Sequence, residues 1–288
     1  MSADHKQPAH EAPGVESGLY VRFWGVRGSL PCAGRDTLRY GGNTSTVEVN
    51  AGGHVLVLDG GTGCHELGRS LLQAGGGKGG DVFLSHAHFD HVCGLPFFQP
   101  FFVPGQDWRV WSGHLEDGMT TRGLFDELMR PPLFPVSPDI FAADISYRDF
   151  RAGQTLSPGP GIVLHTIALN HPNNATGYRV EYGGRAVVYI TDVEHVLGQV
   201  DAGLVAFARN ADVLIYDSTY TDEQFVPGRG HSTWQEGMRI AEAAGVATFV
   251  AFHHDPEHND AFMDDVACAL SAARPGSLVA REGLFLKL

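Results

Sequence analysis

Short apolar runs, closed by glycine, aspartate or histidine, alternate along this chain with stretches whose apolar residues recur every three to four positions. The runs read as strands: Tyr20–Trp24, Thr46–Val49, Val55–Leu58, Val82–Leu84 and Arg109–Trp111, then, after a middle stretch, Ile162–Leu169, Tyr178–Tyr182, Ala186–Ile190, Val213–Tyr216, Thr248–Phe252 and Leu284–Leu286. Helical candidates are Glu66–Gln73, Met119–Met129, Trp234–Ala244 and Asp260–Ala273; in the last, Phe262, Val266, Ala269 and Leu270 fall at helical spacing. Gly75–Gly80 is a loop, and Pro131–Pro138 is too broken by proline to be a helix. This alternation predicts an α/β fold in which two mixed sheets pack face to face with helices outside, an αβ/βα sandwich. Nothing between Gly18 and Leu288 resembles a linker, so residues 19–288 are expected to form a single domain behind a polar, flexible tail over residues 1–18.

The punctuation of the strands changes the picture from architecture to chemistry. Val55–Leu58 runs into Asp59, Val82–Leu84 into Ser85 and His86, Ile162–Leu169 toward His171, and Ala186–Ile190 toward Asp192. Val213–Tyr216 ends at Asp217 and Thr248–Phe252 at His253. In layered α/β proteins ligands collect where strand carboxyl ends open into loops, and so many imidazoles and carboxylates in equivalent places would crowd one rim. The densest cluster is Ser85-His86-Ala87-His88-Phe89-Asp90-His91. A loop turning into a helix can aim His86 and His88 at one ion and Asp90 and His91 at another. Imidazole and carboxylate together suit Zn²⁺, with Mn²⁺ or Fe²⁺ as competitors.

At this cluster the chain resembles the metallo-β-lactamase superfamily, whose hallmark is HxHxDH. It is most similar to the phosphodiesterase-like branch that includes ribonuclease Z and the phosphonate-pathway cyclic phosphodiesterase. Further motifs carry the resemblance: FWGVRGSLP (Phe23–Pro31), YGGNTS (Tyr40–Ser45), LDGGTG (Leu58–Gly63), HAHFDHVCGLPFF, NHP with GYR (Asn170–Pro172, Gly177–Arg179), ITDVEH (Ile190–His195), GHST (Gly230–Thr233) and FHHDP (Phe252–Pro256). The resemblance implies that His86, His88 and His171 bind a first metal, that Asp90, His91 and His253 bind a second, and that Asp192 bridges both. His254 adjoins His253, and strand register decides between them; His253 is expected because it ends the apolar run. Asp59 is expected to support a ligand through a hydrogen bond.

GHST has a physical reading of its own. Thr233 with Glu236 three residues on predicts a capping box for the helix starting at Trp234. His231 would then stand just before a helix N-terminus, where backbone N–H groups and the dipole favour an anion. That position suits proton donation to a leaving oxygen, the role the matching histidine has in ribonuclease Z-like enzymes. Ser232, Thr233, Arg27 and Arg179 are the candidates for contacting the substrate, with Arg229 a further one. His195 is expected either to line the pocket or to cap a helix, and His65 and His165 to be structural. His54, His114 and His258 are expected at the surface. The aromatics of Leu95–Pro104 would either wall the cleft or fill the core.

Composition narrows the partners. The formal charge is −13, and Lys occurs only at 6, 78 and 287, so the chain lacks the polybasic stripe with which proteins neutralise long nucleic acid. It also lacks a basic, glycine-rich insertion like the transfer-RNA arm often found in ribonuclease Z. Cys32, Cys64, Cys93 and Cys268 form no CxxC pair and read as reduced thiols; Cys93 reads as a small buried residue or, next to the cluster, a metal ligand. No apolar run is long enough to span a bilayer. A soluble, cytoplasmic hydrolase is expected, compatible with a homodimer. Two divalent transition-metal ions sharing a carboxylate would acidify a shared water, which Asp90 would orient for attack on a small or cyclic phosphodiester. A lactone, lactam or thioester hydrolase on the same metals, or a non-catalytic metal-bound sensor, are the competing expectations.

Overall fold

The computed structural model describes residues 18–75 and 78–288; the expected tail, apart from Gly18, lies outside them. One seven-stranded sheet contains β1 (Leu19–Gly25), β2 (Thr46–Ala51), β3 (His54–Leu58), β4 (Gly79–Leu84), β5 (Asp107–Ser112), β6 (Asp144–Asp149) and β14 (Phe285–Lys287), in the order β14-β1-β2-β3-β4-β5-β6. The other contains β7 (Thr155–Leu156), β8 (Val163–Leu169), β9 (Ala175–Tyr182), β10 (Arg185–Ile190), β11 (Val213–Asp217), β12 (Thr248–Phe252) and β13 (Leu278–Val279), in the order β13-β12-β11-β10-β9-β8-β7. Both sheets are mixed, as the sequence predicts.

Side-chain alternation explains why the central strands read as unbroken apolar runs. Leu56 and Leu58 of β3 and Val187 and Tyr189 of β10 enter the core between the sheets. Val57 and Val188 point the other way, into separate cores under the helices. A strand buried on both faces needs apolar residues at every position. The helices follow: α1 (Cys64–Gln73), α2 (Phe89–Val92) and α3 (Thr121–Leu128), then α4 (Ala202–Ala208), α5 (Trp234–Ala244) and α6 (Asp260–Ala273). Cys64, Leu67 and Phe125 of α1 and α3 cover the first sheet. Leu204, Ile240, Met263 and Leu270 of α4 to α6 cover the second.

Direction matters more for the site than layer count. Strands β3 to β6 pair in parallel, as do β10 to β13. Strand β8 is antiparallel to β9, and β9 to β10, so β8 runs with β10. The residues that follow β3, β4, β8, β10, β11 and β12 therefore leave their sheets at carboxyl ends.

Three strands escape the sequence pattern. β6 (DISYRD) is half-exposed and polar, while β7 and β13 have two residues each. Helix α4 is also missed, being too short to show a period, whereas α2 is the turn of helix expected within the histidine cluster. The other helices have clear ends: the Asn259 side chain accepts from Phe262 N at 3.0 Å to start α6. Gly245, at φ 66°, stops α5 in the left-handed conformation that glycine adopts without penalty. Cys32, Cys64, Cys93 and Cys268 are all free thiols. Among the described residues no helix is long and apolar enough to cross a membrane.

Candidate metal centre

Sharp turns at the strand ends aim the polar side chains at one rim. Asp59, Asp192 and His253 follow β3, β10 and β12 with φ of 62°, 53° and 64°, a left-handed conformation that costs a non-glycine residue on the order of 1–2 kcal/mol. The loop after β4 places His86 and His88, and the single turn of α2 adds Asp90 and His91. His171 comes from the turn after β8.

These seven residues meet in two overlapping groups. His88 Nδ1 lies 3.1 Å from His171 Nε2, and His86 Nε2 and His171 Nε2 lie 3.7 and 3.8 Å from Asp192 Oδ1. On the other side His91 Nε2 is 3.3 Å from His253 Nε2 and 3.2 Å from both Asp90 Oδ2 and Asp192 Oδ2. His253 Nε2 is 3.3 Å from Asp90 Oδ2 and 3.4 Å from Asp192 Oδ2. Asp192 thus offers one oxygen to each group.

The outer hydrogen bonds decide which nitrogens face inward. His171 Nδ1 donates to the Gly230 carbonyl at 2.7 Å, and His91 Nδ1 to Asp59 Oδ2 at 2.8 Å. Ser85 Oγ donates to Asp59 Oδ2, which leaves it to accept from His86 Nδ1 at 3.1 Å. Thr219 Oγ likewise donates to Asp217 and accepts from His253 Nδ1 at 3.0 Å. With Nδ1 protonated, each of these rings turns an Nε2 lone pair inward. The Nε2 atoms of His91 and His253 face one another at 3.3 Å, where two lone pairs repel unless a proton or a cation lies between them. The same spacing is close to that of neighbouring ligands around a tetrahedral ion with bonds of about 2.0–2.1 Å. His86 Nε2 is buried with no partner at all. The residues fit a pair of divalent cations, and the groups His86–His88–His171 and Asp90–His91–His253 each converge tightly enough to hold one.

Electrostatics agrees. Burial pushes Asp90 up, but the imidazoles of His91 and His253 overcome it and hold the carboxyl well below the usual range. Burial disfavours charge on His91, yet Asp192, Asp90 and Asp59 pull its pKa well above the ordinary histidine value. Three carboxylates thus draw positive charge to this spot.

His231 stands beside both groups, its ring centroid 5.0 Å from that of His253 and 5.5 Å from that of His171. Its Nδ1 donates to Asp217 Oδ2 at 3.0 Å. Burial would lower its pKa, but Asp217 carries it up to about 9. Asp217, fully buried, also accepts from Thr219 N and Val193 N. Its place at a strand end was visible in the sequence, but the pairing with His231 was not. The Ser29 N–H, which donates to Asp90 Oδ2 at 2.7 Å, and Glu194, which accepts from Gly228 N and Gly230 N, left no sequence signal.

Several expectations need correction. Arg27 is fully buried and donates to the carbonyls of Gly41, Asp255 and His258, so it clips loops together and reaches no substrate. Arg179 pairs with Glu181 and donates to the Phe207 and Arg209 carbonyls at the end of α4. Ser232 Oγ is buried against His195 Nδ1 and Tyr216 Oη. Thr233 Oγ caps α5 by accepting from Glu236 N, and donates to Asp222. The reciprocal half of the capping box is missing, because Glu236 takes Arg239 and leaves its other oxygen unpartnered. With Trp234 N already bonded to the Tyr220 carbonyl, the helix start has few N–H groups left for an anion. His195 caps no helix. His54 bonds Asp81 at 2.6 Å, and His114 and His258 are only 6% and 7% exposed, so none of the three is a free surface group. His254 Nε2 contacts the Ala280 carbonyl at 2.7 Å, away from the centre that His253 enters. Asp59 accepts from Ser85, Tyr189 and His91. In Leu95–Pro104, Phe98 and Phe101 are core while Phe97 and Phe102 are exposed. Cys93 Sγ lies 3.9 Å from Thr44 Oγ and belongs to neither group.

Residues 58–254 match the Beta-lactamase superfamily domain. Ribonuclease Z from Haloarcula marismortui is 26% identical over 92% of this chain and 94% of its own length. The metallo-beta-lactamase fold protein YhfI from Bacillus subtilis superposes with a TM-score of 0.72, at 20% identity, over 95% of this chain and all of that one. A diphosphatase from the PhnP family does so with a TM-score of 0.68, at 17% identity, over 94% and 98%. The chain belongs to the metallo-β-lactamase superfamily of metal-dependent hydrolases.

Proposed function

We propose that this protein is a dinuclear phosphodiesterase acting on small or cyclic phosphodiesters, with zinc as its metal. The observation that carries the reading is His231 held by Asp217 beside two convergent ligand groups, a proton donor at the place where a leaving oxygen would depart. Ribonuclease Z among the relatives and a diphosphatase among the structural neighbours support phosphoryl chemistry over acyl chemistry.

In this reading His86, His88 and His171 would hold one cation and Asp90, His91 and His253 the other, with Asp192 available to both. When bound, two divalent cations supply Lewis acidity, polarising a phosphoryl oxygen and acidifying a water. Asp90, fixed by the Ser29 N–H, orients the attacking water. As the bond from phosphorus to the leaving oxygen breaks, His231 gives its Nε2 proton to that oxygen while Asp217 stabilises the imidazolium through Nδ1.

Zinc-loaded protein should hydrolyse bis-nitrophenyl phosphate and a 2′,3′-cyclic nucleotide well above its rate on a lactone or thioester. Faster turnover of the lactone or thioester would replace the reading with acyl hydrolysis. A ribonucleic acid substrate is the second reading. The acidic chain argues against long nucleic acid, but the ribonuclease Z relatives argue for it. Specific cleavage of precursor transfer RNA, with weak activity on small diesters, would establish it.

A further inference from the structure

We propose that His114 and the cavity it lines form a subsite for a planar, hydrogen-bonding group of the substrate, such as a heterocyclic base, beside the metal centre. The inference rests on the phosphodiesterase reading and adds to it where the part of the substrate that is not attacked would lie.

Register places His114 on the same rim as the proposed ligands. Strands β4 and β5 pair in parallel with Leu84 opposite Ser112. His114 therefore follows its strand by two residues, as His86 follows the neighbouring one. Adjacent strands are about 4.8 Å apart, so His114 stands one strand over from the centre. It belongs to neither ligand group. The cavity, about 580 Å³, is also lined by Leu115, Met119, Arg151, Ala168 and Asn174. Asn174 N donates to the His171 carbonyl at 3.0 Å, so the cavity wall and that proposed ligand share one turn.

His114 is 6% exposed, and neither ring nitrogen has a hydrogen-bond partner. A desolvated imidazole left unpaired on both sides is costly, and the ring gains by taking up a partner that offers a donor or an acceptor. The ring is also neutral, because burial lowers its pKa to about 4. A neutral imidazole offers one donor and one acceptor. A half-turn about Cβ–Cγ exchanges its nitrogens for carbons at unchanged shape, so a ligand can draw either nitrogen toward the cavity. The Asn174 amide adds a donor and an acceptor, while Leu115, Met119 and Ala168 supply apolar surface. A mixed wall, with apolar Leu115, Met119 and Ala168 beside the donors and acceptors of His114, Asn174, Arg151, Glu116 and Asp117, suits a heterocyclic base. It suits a bare phenyl ring less, because such a ring leaves the polar groups unpaired.

Calorimetric titration of zinc-loaded protein with adenosine 5′-monophosphate and with phenyl phosphate tests this, since the two share the phosphate and differ in the group entering the cavity. Wild type should prefer the nucleotide at least tenfold. His114→Phe, which keeps a ring without its hydrogen bonds, should remove most of that preference, with metal content retained. His114→Gln, which restores a donor and an acceptor, should recover part of it. A wild type that binds both phosphates equally, an equal loss on both in His114→Phe, or loss of metal from that variant would each overturn the subsite. Failure of wild type to bind either phosphate would overturn the phosphodiesterase reading, and the subsite with it.

Discussion

Gly28 sets how close a loop may come to His253, and the cost of crowding it can be worked from distances. A Cβ built on Gly28 would lie 2.3 Å from His253 Cε1 and 2.4 Å from Nδ1. Carbon atoms sit comfortably at about 3.5–4.0 Å, so in Gly28→Ala the imidazole must recede by roughly 1 Å. It has nowhere soft to go: the residue is fully buried, Thr219 Oγ holds Nδ1 at 3.0 Å, and Nε2 faces Asp90 and Asp192. Metal–ligand distances tolerate only about ±0.2 Å. The expected result is loss of the ion assigned to Asp90, His91 and His253, and a fall in kcat/KM of about 10²-fold, as for other misplacements of about 1 Å. Overpacking adds roughly 1–3 kcal/mol of destabilisation. Gly34→Ala is the control, because its Cβ would meet nothing closer than 3.8 Å. Elemental analysis of gel-filtered protein, beside kinetics on a small phosphodiester, reads both effects. Gly28→Ala with two metals per chain and wild-type kcat/KM would show that His253 does not need this position, and would remove it from the ligand set.

The remaining predictions concern the metals and the proton. Wild type should purify with close to two transition-metal ions per chain, and His88→Ala should lose much of that; fewer than about half an ion in gently purified wild type would sink the dinuclear reading. His231→Ala should slow an alkyl or nucleoside diester by about 10²–10⁴-fold but spare bis-nitrophenyl phosphate, whose leaving group is stable unprotonated; equal losses with metal retained would refute the acid. His231, raised to about 9, keeps its proton below that pH and loses it above, so activity on a basic leaving group should fall as pH rises through 9. Asp217→Asn removes the charge that raises it and should move that limb to lower pH; an unmoved limb would separate Asp217 from the proton. Asp59→Ala, which deletes the acceptor of His91, should weaken metal binding about 10- to 100-fold by chelator competition, and unchanged affinity would count against that support.

How much could be read beforehand depended on which interactions are local. β12, α5 and α6 fall where the pattern places them because each is delimited by nearby residues: an apolar run, a threonine or asparagine cap, a left-handed glycine. The convergence of Asp59, His86, Asp192 and His253 was legible because strand ends share a rim whatever the details of the loops. What could not be read was pairing across distance. Asp217 and His231 are 14 residues apart, and His91 and His253 are 162. Arg27 sits in the FWGVRGSLP motif, yet its guanidinium bonds main chain more than 200 residues away. His114 was misread as well. Its polar neighbours in SGHLEDG suggest a surface loop, while the residue is only 6% exposed.

The strained turns connect this architecture to its chemistry. A strand that ended in a relaxed turn would carry its last side chain on along the sheet. The left-handed φ at Asp59, Asp192 and His253 turns the chain at the strand end and re-aims each side chain at the rim. Such conformations persist only where surroundings over-determine them, and here they do. Asp59 accepts from the backbone and hydroxyl of Ser85 at 2.6 and 2.8 Å, and from Tyr189 and His91 at 2.8 Å each. Asp192 takes the Thr191 hydroxyl at 2.7 Å. His253 is held by Thr219, itself fixed by Asp217, the residue that orients His231. One buried carboxylate therefore positions a proposed ligand and the proposed acid together. That coupling makes a specific demand on double variants: in a His231→Ala background Asp217→Asn should lose the part of its effect that acts through His231 and keep the part that acts through Thr219 and His253.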